Sequence, residues 1–173
     1  MADREAVLRF CAFRMMGDLD NYETYDSMDV FLTEATEKLD AVIDEAGRRS
    51  LASALDVAVR NAAGLFEWRA FRKWPEGAPE NRVNPINKPL LEAWTVALAD
   101  FHWSDLEPRK DAIVAASRKA MSEDHAFLDA ISTGTGDPRK VKLRFRFVRA
   151  IIELAGTAVP IPKSSALVPP ASQ

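Results

Sequence analysis

DPRKVKLRFRFVRAIIELA, residues 137–155, decides the fold class. Its inner run VKLRFRFV (141–148) alternates apolar and polar residues with period two, the pattern of a half-buried strand. Two features outweigh that alternation. Asp137 can accept hydrogen bonds from the first free N–H groups of a helix, and Pro138 is preorganised for the first helical position. The continuation RAIIELA then keeps Val141, Phe145, Val148 and Ile152 on one face at helical spacing. A helix over 139–155 is expected, and with it an all-α chain.

Upstream, the same spacing rule predicts helices throughout. Residues 2–16 carry Ala6, Val7, Phe10, Cys11, Phe13 and Met16 on one stripe and stop at Gly17. Residues 18–24 read as a loop, after which Asp26 or Ser27 caps a helix buried along Met28, Phe31, Leu32, Ala35, Leu39, Val42 and Ile43 and stopped by Gly47. A third helix, 48–64, carries Leu51, Ala52, Leu55, Val59 and Ala62 or Ala63, and its very short connection makes it an antiparallel neighbour of the second. Asn87 caps 88–101, with Leu90, Leu91, Trp94, Ala97, Leu98 and Phe101 facing inward. Ser104 or Asp105 opens a helix to about residue 121, apolar at Ile113, Val114, Ala116, Ala120 and Met121, and a short helix over 123–131 leads to the loop STGTG at 132–136. The expectation is one domain over 1–155, a helical bundle of about seven helices. The Pro/Ser-rich segment 156–173 reads as a flexible, disordered tail or linker.

The middle of the chain, LFEWRAFRKWPEGAPENRVNPIN (65–87), gathers Phe66, Trp68, Phe71 and Trp74 among Arg69, Arg72 and Lys73 before a Pro/Gly/Asn loop. Aromatics bury the most area per residue and Arg stacks on them, so this cluster is expected to centre the core. Arg69 and Arg72 then have a structural part, stacked on Trp68 or Trp74 or bonded to loop carbonyls.

Length and composition set outer bounds. At 173 residues the chain can bury a real core, and 47% hydrophobic with 28% charged residues excludes wholesale disorder. Apolar runs fall short of the ~18–20 residues of a membrane span, and acids in MADREAVLRF do not fit a signal peptide, so no membrane partner and a cytoplasmic location are expected. The single Cys11 fits a reducing compartment and the part of a small core residue. Net charge is −3, yet residues 1–50 hold twelve acids against six bases while 139–149 hold six bases and no acid. That polarity can steer an anionic partner or pair the two ends of the domain.

No complete catalytic set is visible, no cofactor is implied, and His125 beside Glu123 and Asp124 is not a ready metal site, because adjacent helical positions point apart. Two anion-binding candidates stand against plainer readings. The loop 132–137, with Thr133 and Thr135 ahead of Arg139 and Lys140, can cradle a phosphate at a helix N-terminus, or Asp137 can occupy those donors itself. Arg139, Lys142, Arg146 and Arg149 share a helix face that can track a nucleic-acid backbone or pair with the acidic first fifty residues.

Four stretches, DREAVLRFCAF (3–13), LFEWRAFR (65–72), INKPLLEAW (86–94) and ISTGTGDPRKVKLRFRFV (131–148), resemble in the same order the helical C-terminal half of the N-terminal domain of the GmrSD-like family of modification-dependent restriction and phage-defence proteins. The resemblance spans about residues 2–155. In that family the preceding part is ParB-like and carries an Asp-Gly-Gln-Gln-Arg nucleotide-handling motif, and many members add an H-N-H nuclease. This chain carries neither, so the resemblance implies a helical scaffold with no catalytic residue to transfer. It implies docking to a ParB-like NTPase or nuclease partner, DNA contact through the last helix, and a junction at Phe71, Arg72, Asn87 and Thr133 to Thr135. The competing readings are a stand-alone interaction or oligomerisation protein and an enzyme with a phosphate site at 133–137. The oligomeric state is not legible in the sequence.

Overall fold

The computed structural model describes residues 2–15, 19–79 and 81–167. Its α-helices are α1 (Ala2–Met15), α2 (Leu19–Tyr22), α3 (Met28–Ala41), α4 (Glu45–Phe66), α5 (Lys88–Leu98), α6 (Trp103–Leu106), α7 (Lys110–Glu123), α8 (His125–Ala130) and α9 (Pro138–Leu154). Seven are longer than one turn, and among the described residues there is no strand, only an isolated bridge between Arg72 and Ile86. The all-α, single-domain bundle is therefore what the chain forms.

Side-chain caps set the helix starts. Ser27 Oγ accepts from Val30 N at 3.2 Å, Asp44 Oδ1 from Gly47 N at 2.8 Å, and Asn87 Oδ1 from Leu90 N at 2.9 Å. Asp124 Oδ1 accepts from Phe127 N at 2.9 Å, and Asp137 Oδ1 from Arg139 N at 2.8 Å and Lys140 N at 3.4 Å. Each such cap contributes about 1 kcal/mol. The cap at Asp137 holds VKLRFRFV as helix, with Val141, Phe145, Val148 and Ile152 buried as expected and Arg144, Phe147 and Ile151 buried beside them.

The bundle is organised around α5, which packs against α1, α4 and α9 and buries Leu90, Glu92, Ala93, Trp94, Thr95, Ala97 and Leu98. Phe13, Phe31 and Phe145 meet at ring-centroid distances of 4.9 Å and 4.7 Å from Phe13, joining α1, α3 and α9. Phe66 crosses Trp94 edge to face at 4.7 Å. Gly64 lies so close to the Trp103 ring that a Cβ there would fall 2.4 Å from it, so only glycine lets α6 approach α4.

Several expectations are corrected. The segment 18–24 contains a helical turn, Leu19–Tyr22, pinned by the buried Tyr22; the expected stop at Met16–Gly17 lies outside the described residues. Gly47 does not end the second helix: α3 ends at Ala41, and Gly47 donates to the Asp44 cap that starts α4. Along α4 the buried side is Ala58, Asn61, Ala62, Leu65 and Phe66, not Ala52 and Val59, because the helix packs mainly on α5 while α3 packs on α1. Helix 88–101 ends at Leu98, and 104–121 divides around Pro108 into α6, a 3-10 turn Glu107–Arg109 and α7. The 65–74 cluster does not centre the core. Glu67 at φ 54° and Phe71 at φ 61° turn the chain outward, and Trp68 is 46% exposed.

Of the tail expected over 156–173, residues 156–167 are described. Ser164–Leu167 form a 3-10 turn against α8 and α9, where the buried Ser164 donates from N to Asp124 Oδ2 at 2.8 Å and from Oγ to Oδ1 at 2.6 Å. Residues 168–173 lie outside the described residues. Among the described residues no helix is long and apolar enough to cross a membrane.

Candidate functional site

A chain of charges runs from the surface into the core. Lys88 Nζ meets Glu5 at 2.6 Å, Glu5 meets Arg9 at 3.0 Å, and Arg9 Nη1 meets Glu92 Oε2 at 3.0 Å. The other Glu92 oxygen accepts from Arg144 Nη2, and both of these side chains are fully buried. Arg144 Nη1 donates onward to Thr135 O at 2.7 Å, while Tyr22 OH donates to Gly136 O at 2.7 Å. Burial pushes the Arg144 guanidinium down from its ordinary value despite Glu92, and it pushes the Tyr22 hydroxyl up to about 12. The hydrogen bond from Lys88 holds the Glu5 carboxyl below its usual range. With its central groups closed to solvent, this array ties α1, α5 and α9 together and presents nothing to a ligand. Glu92 and Tyr22 escaped sequence reasoning, although a lone acid inside the apolar run KPLLEAWTVAL and an arginine on the Val141–Val148 stripe are the signals of such a pair.

The loop 132–137 presents carbonyl oxygens to cations, the reverse of a phosphate cradle. Lys140 Nζ meets Thr133 O at 2.9 Å and Asp129 Oδ2 at 2.6 Å; Thr133 Oγ1 donates to Asp129 Oδ1 at 2.5 Å; Thr135 O serves Arg144. Asp137 holds the N–H groups of Arg139 and Lys140. The donors that an anion needs there are taken.

The cations of α9 are likewise engaged. Lys142 is buried and pairs with Glu23 at 2.6 Å. Arg149 meets Asp100 at 2.9 Å and Glu153 at 2.6 Å, and Arg146 Nη1 donates to Leu167 O at 3.2 Å. Arg139 is exposed. Among the described residues, Lys142 pairs with the first fifty residues through Glu23, while Asp100, Asp129 and Glu153 engage Arg149 and Lys140.

The central cluster gathers residues 66–74, Asn87, Arg118 and the 131–132 turn. The Arg69 guanidinium lies 3.9 Å from the Trp68 ring centroid and 4.3 Å from that of Trp74, and Arg118 of α7 stacks on Trp74 at 4.2 Å. Arg72 donates to Trp68 O at 3.2 Å and Asn84 O at 2.5 Å, closing the loop. Asn87 donates from N to Phe71 O and from Nδ2 to Ile131 O, both at 2.8 Å, and Lys73 Nζ reaches Ser132 Oγ at 2.6 Å. Phe66, Trp68, Arg69, Phe71, Arg72, Trp74 and Asn87 are therefore one assembly joined to the 131–132 turn. Thr133, Thr135 and the α9 bases stand outside it.

Two other surfaces stand out. Between residues 36 and 57, across the end of α3 and the first half of α4, no residue is buried, and Val42 is 76% exposed. A groove of about 760 Å³ runs between α7, α8 and residues 161–163, lined by Lys119, Glu123, His125, Phe147, Ile161 and Lys163 among others. No group of three His, Cys, Asp or Glu among the described residues is placed to hold a metal ion. Burial raises the Cys11 thiol above its ordinary pKa, the opposite of an activated nucleophile. No protein-family model, curated protein or solved structure matches the chain.

Proposed function

We propose that this chain is a non-catalytic helical module of a modification-dependent restriction or phage-defence system, docking a ParB-like NTPase or nuclease subunit through the arm formed by residues 36–57. The resemblance supplies the context. The arm supplies the single observation that carries the docking: Leu39 of α3, Val42 and Ile43 of the connection, and Leu51 and Leu55 of α4 are apolar, yet none of them is buried. Val42 is 76% exposed and the other four are half-buried, so the arm keeps apolar surface open to a partner. Its rim is acidic, with Glu34, Glu37, Asp40, Asp44 and Glu45 against Lys38, Arg48 and Arg49. The matching face is therefore apolar at its centre and basic around it. DNA contact through α9 has little support, since Lys140, Lys142 and Arg149 are held in ion pairs.

Co-expression with a ParB-like protein bearing the Asp-Gly-Gln-Gln-Arg motif tests the reading. Co-purification that Val42→Asp and Leu51→Asp abolish, in variants that keep their helical signal, supports it. Separate elution of the wild-type chains counts against it. A second reading, self-association, is favoured by the mixed charge of the arm, with Arg48 and Arg49 on α4 and Glu37 and Asp40 on α3, which offers complementary charges to a second copy. A mass measured on the chain alone, at low and high salt, separates the two.

A further inference from the structure

We propose that the groove between α7, α8 and residues 161–163 is a binding site for an amphiphilic carboxylate, an alkyl chain that ends in one anionic group. Its volume of about 760 Å³ lies in the range of small-molecule sites, which are apolar inside and carry a few polar groups that fix orientation. The lining follows that division. Ala116, Ala120, Phe147, Ile161 and Pro162 supply the apolar part, and Phe147 and Ala120 are buried, so the groove bottoms on the core. Lys119, Glu123, His125 and Lys163 are the lining residues exposed to solvent beside Asp124. From Ala116 to Ala120 the backbone groups of α7 are bonded within the helix, so this wall offers side chains alone. That favours an alkyl chain over an extended peptide, which needs backbone partners.

The charges of the lining select the sign of the head group. Asp124 is used up inside the fold: its Oδ1 accepts from Phe127 N at 2.9 Å and Ser164 Oγ at 2.6 Å, and its Oδ2 from Ser164 N at 2.8 Å. Glu123 stands 3.8 Å from Lys119. Among the described residues Lys163 meets no carboxylate, and neither does the side chain of His125, whose ring can donate an N–H. An ammonium and an imidazole are thus left to a ligand beside an apolar bed, which suits a single carboxylate on an alkyl chain. A nucleotide would bring a polar ring and leave it unpaired against alanines and Phe147. Residues 161–163 form one wall, anchored by the bonds from Ser164 to Asp124, so a bound chain should also steady 161–167. The inference does not rest on the docking arm, which carries none of these residues.

The direct test is isothermal titration of the full chain with laurate, dodecanol and dodecyltrimethylammonium, each below the concentration at which it forms micelles. The expected result is laurate bound ~10-fold more tightly than the alcohol or the cation, with an affinity that falls as salt rises. Hydrogen exchange with laurate present should show protection over 116–126 and 161–167 and none over 36–57. Lys163→Glu, at an exposed position, should abolish the preference for laurate over dodecanol, and Lys163→Arg should keep it. Ala116→Phe should weaken all three ligands by filling the apolar part. Absence of laurate binding, equal or tighter binding of the alcohol or the cation, protection confined to 36–57, or an unchanged preference in a folded Lys163→Glu variant would overturn the proposal.

Discussion

Glu92 of α5 and Arg144 of α9 form an ion pair with neither side chain reaching solvent, and Arg9 of α1 supplies the second cation to the same carboxylate. Removing one member of such a pair leaves a buried charge without its counterpart, at about 3–5 kcal/mol. Glu92→Leu should therefore lower Tm by roughly 10 °C or more, measured by calorimetry. Glu92→Leu combined with Arg144→Met should recover part of that loss, because both charges then leave the core. A double variant no more stable than the single one would deny the pair its place.

Tyr22 makes stability fall in alkali. Its hydroxyl is held up to about 12, above the ordinary value of about 10, so the folded protein keeps a proton that the unfolded chain releases. That contribution is fully present below about pH 10 and is lost as pH rises towards about 12. Chemical denaturation across this window should show a downward slope that Tyr22→Phe reduces. The same variant loses the bond to Gly136 O and should be less stable at neutral pH by about 1 kcal/mol.

Much of this architecture was legible in the chain. Ser27, Asn87, Asp137 and Pro138 announce their helices, because capping is a local interaction that needs no distant partner. The buried side of α4 was not. Its alanine-rich sequence permits two apolar stripes, and the choice falls to Ala58, Ala62 and Leu65 only because α5 packs there. Aromatic content pointed to 65–74 as the core, and the positive φ angles at Glu67 and Phe71, invisible to periodicity, turned that cluster outward. Likewise the spacing of Lys142, Arg146 and Arg149 marks a basic face, while the partners that occupy it, Glu23, Leu167 O and Asp100, come from distant parts of the sequence.

The segment 161–167 is held by Asp124, whose carboxyl lies below its usual range because the bonds from Ser164 and Phe127 outweigh the cost of burying it. A depressed carboxyl stabilises the fold above its ordinary pKa, and that contribution is lost as pH falls through the folded value. The protection factors of 164–167, taken against the intrinsic exchange rates at each pH, should therefore fall in acid. At neutral pH, Ser164→Ala should cost about 1 kcal/mol and speed exchange in the same residues. Unchanged exchange in that variant would mean the turn is held by its apolar contacts alone.

Charge reversal on α9 tests what its surface ion pairs contribute. Arg149→Glu breaks half-exposed contacts with Asp100 and Glu153 and should cost no more than about 1 kcal/mol of stability. A loss several times larger, read by chemical denaturation, would mean that these pairs hold α9 more firmly than exposed pairs do.

The most direct measurement is amide hydrogen exchange over residues 36–57, on the chain alone and after mixing with a ParB-like protein of the resembling family. The docking account predicts fast exchange in the free chain, because no side chain in this stretch is buried, and strong protection in the mixture. Exchange in 36–57 that stays fast in a complex, with protection arising elsewhere, would contradict it.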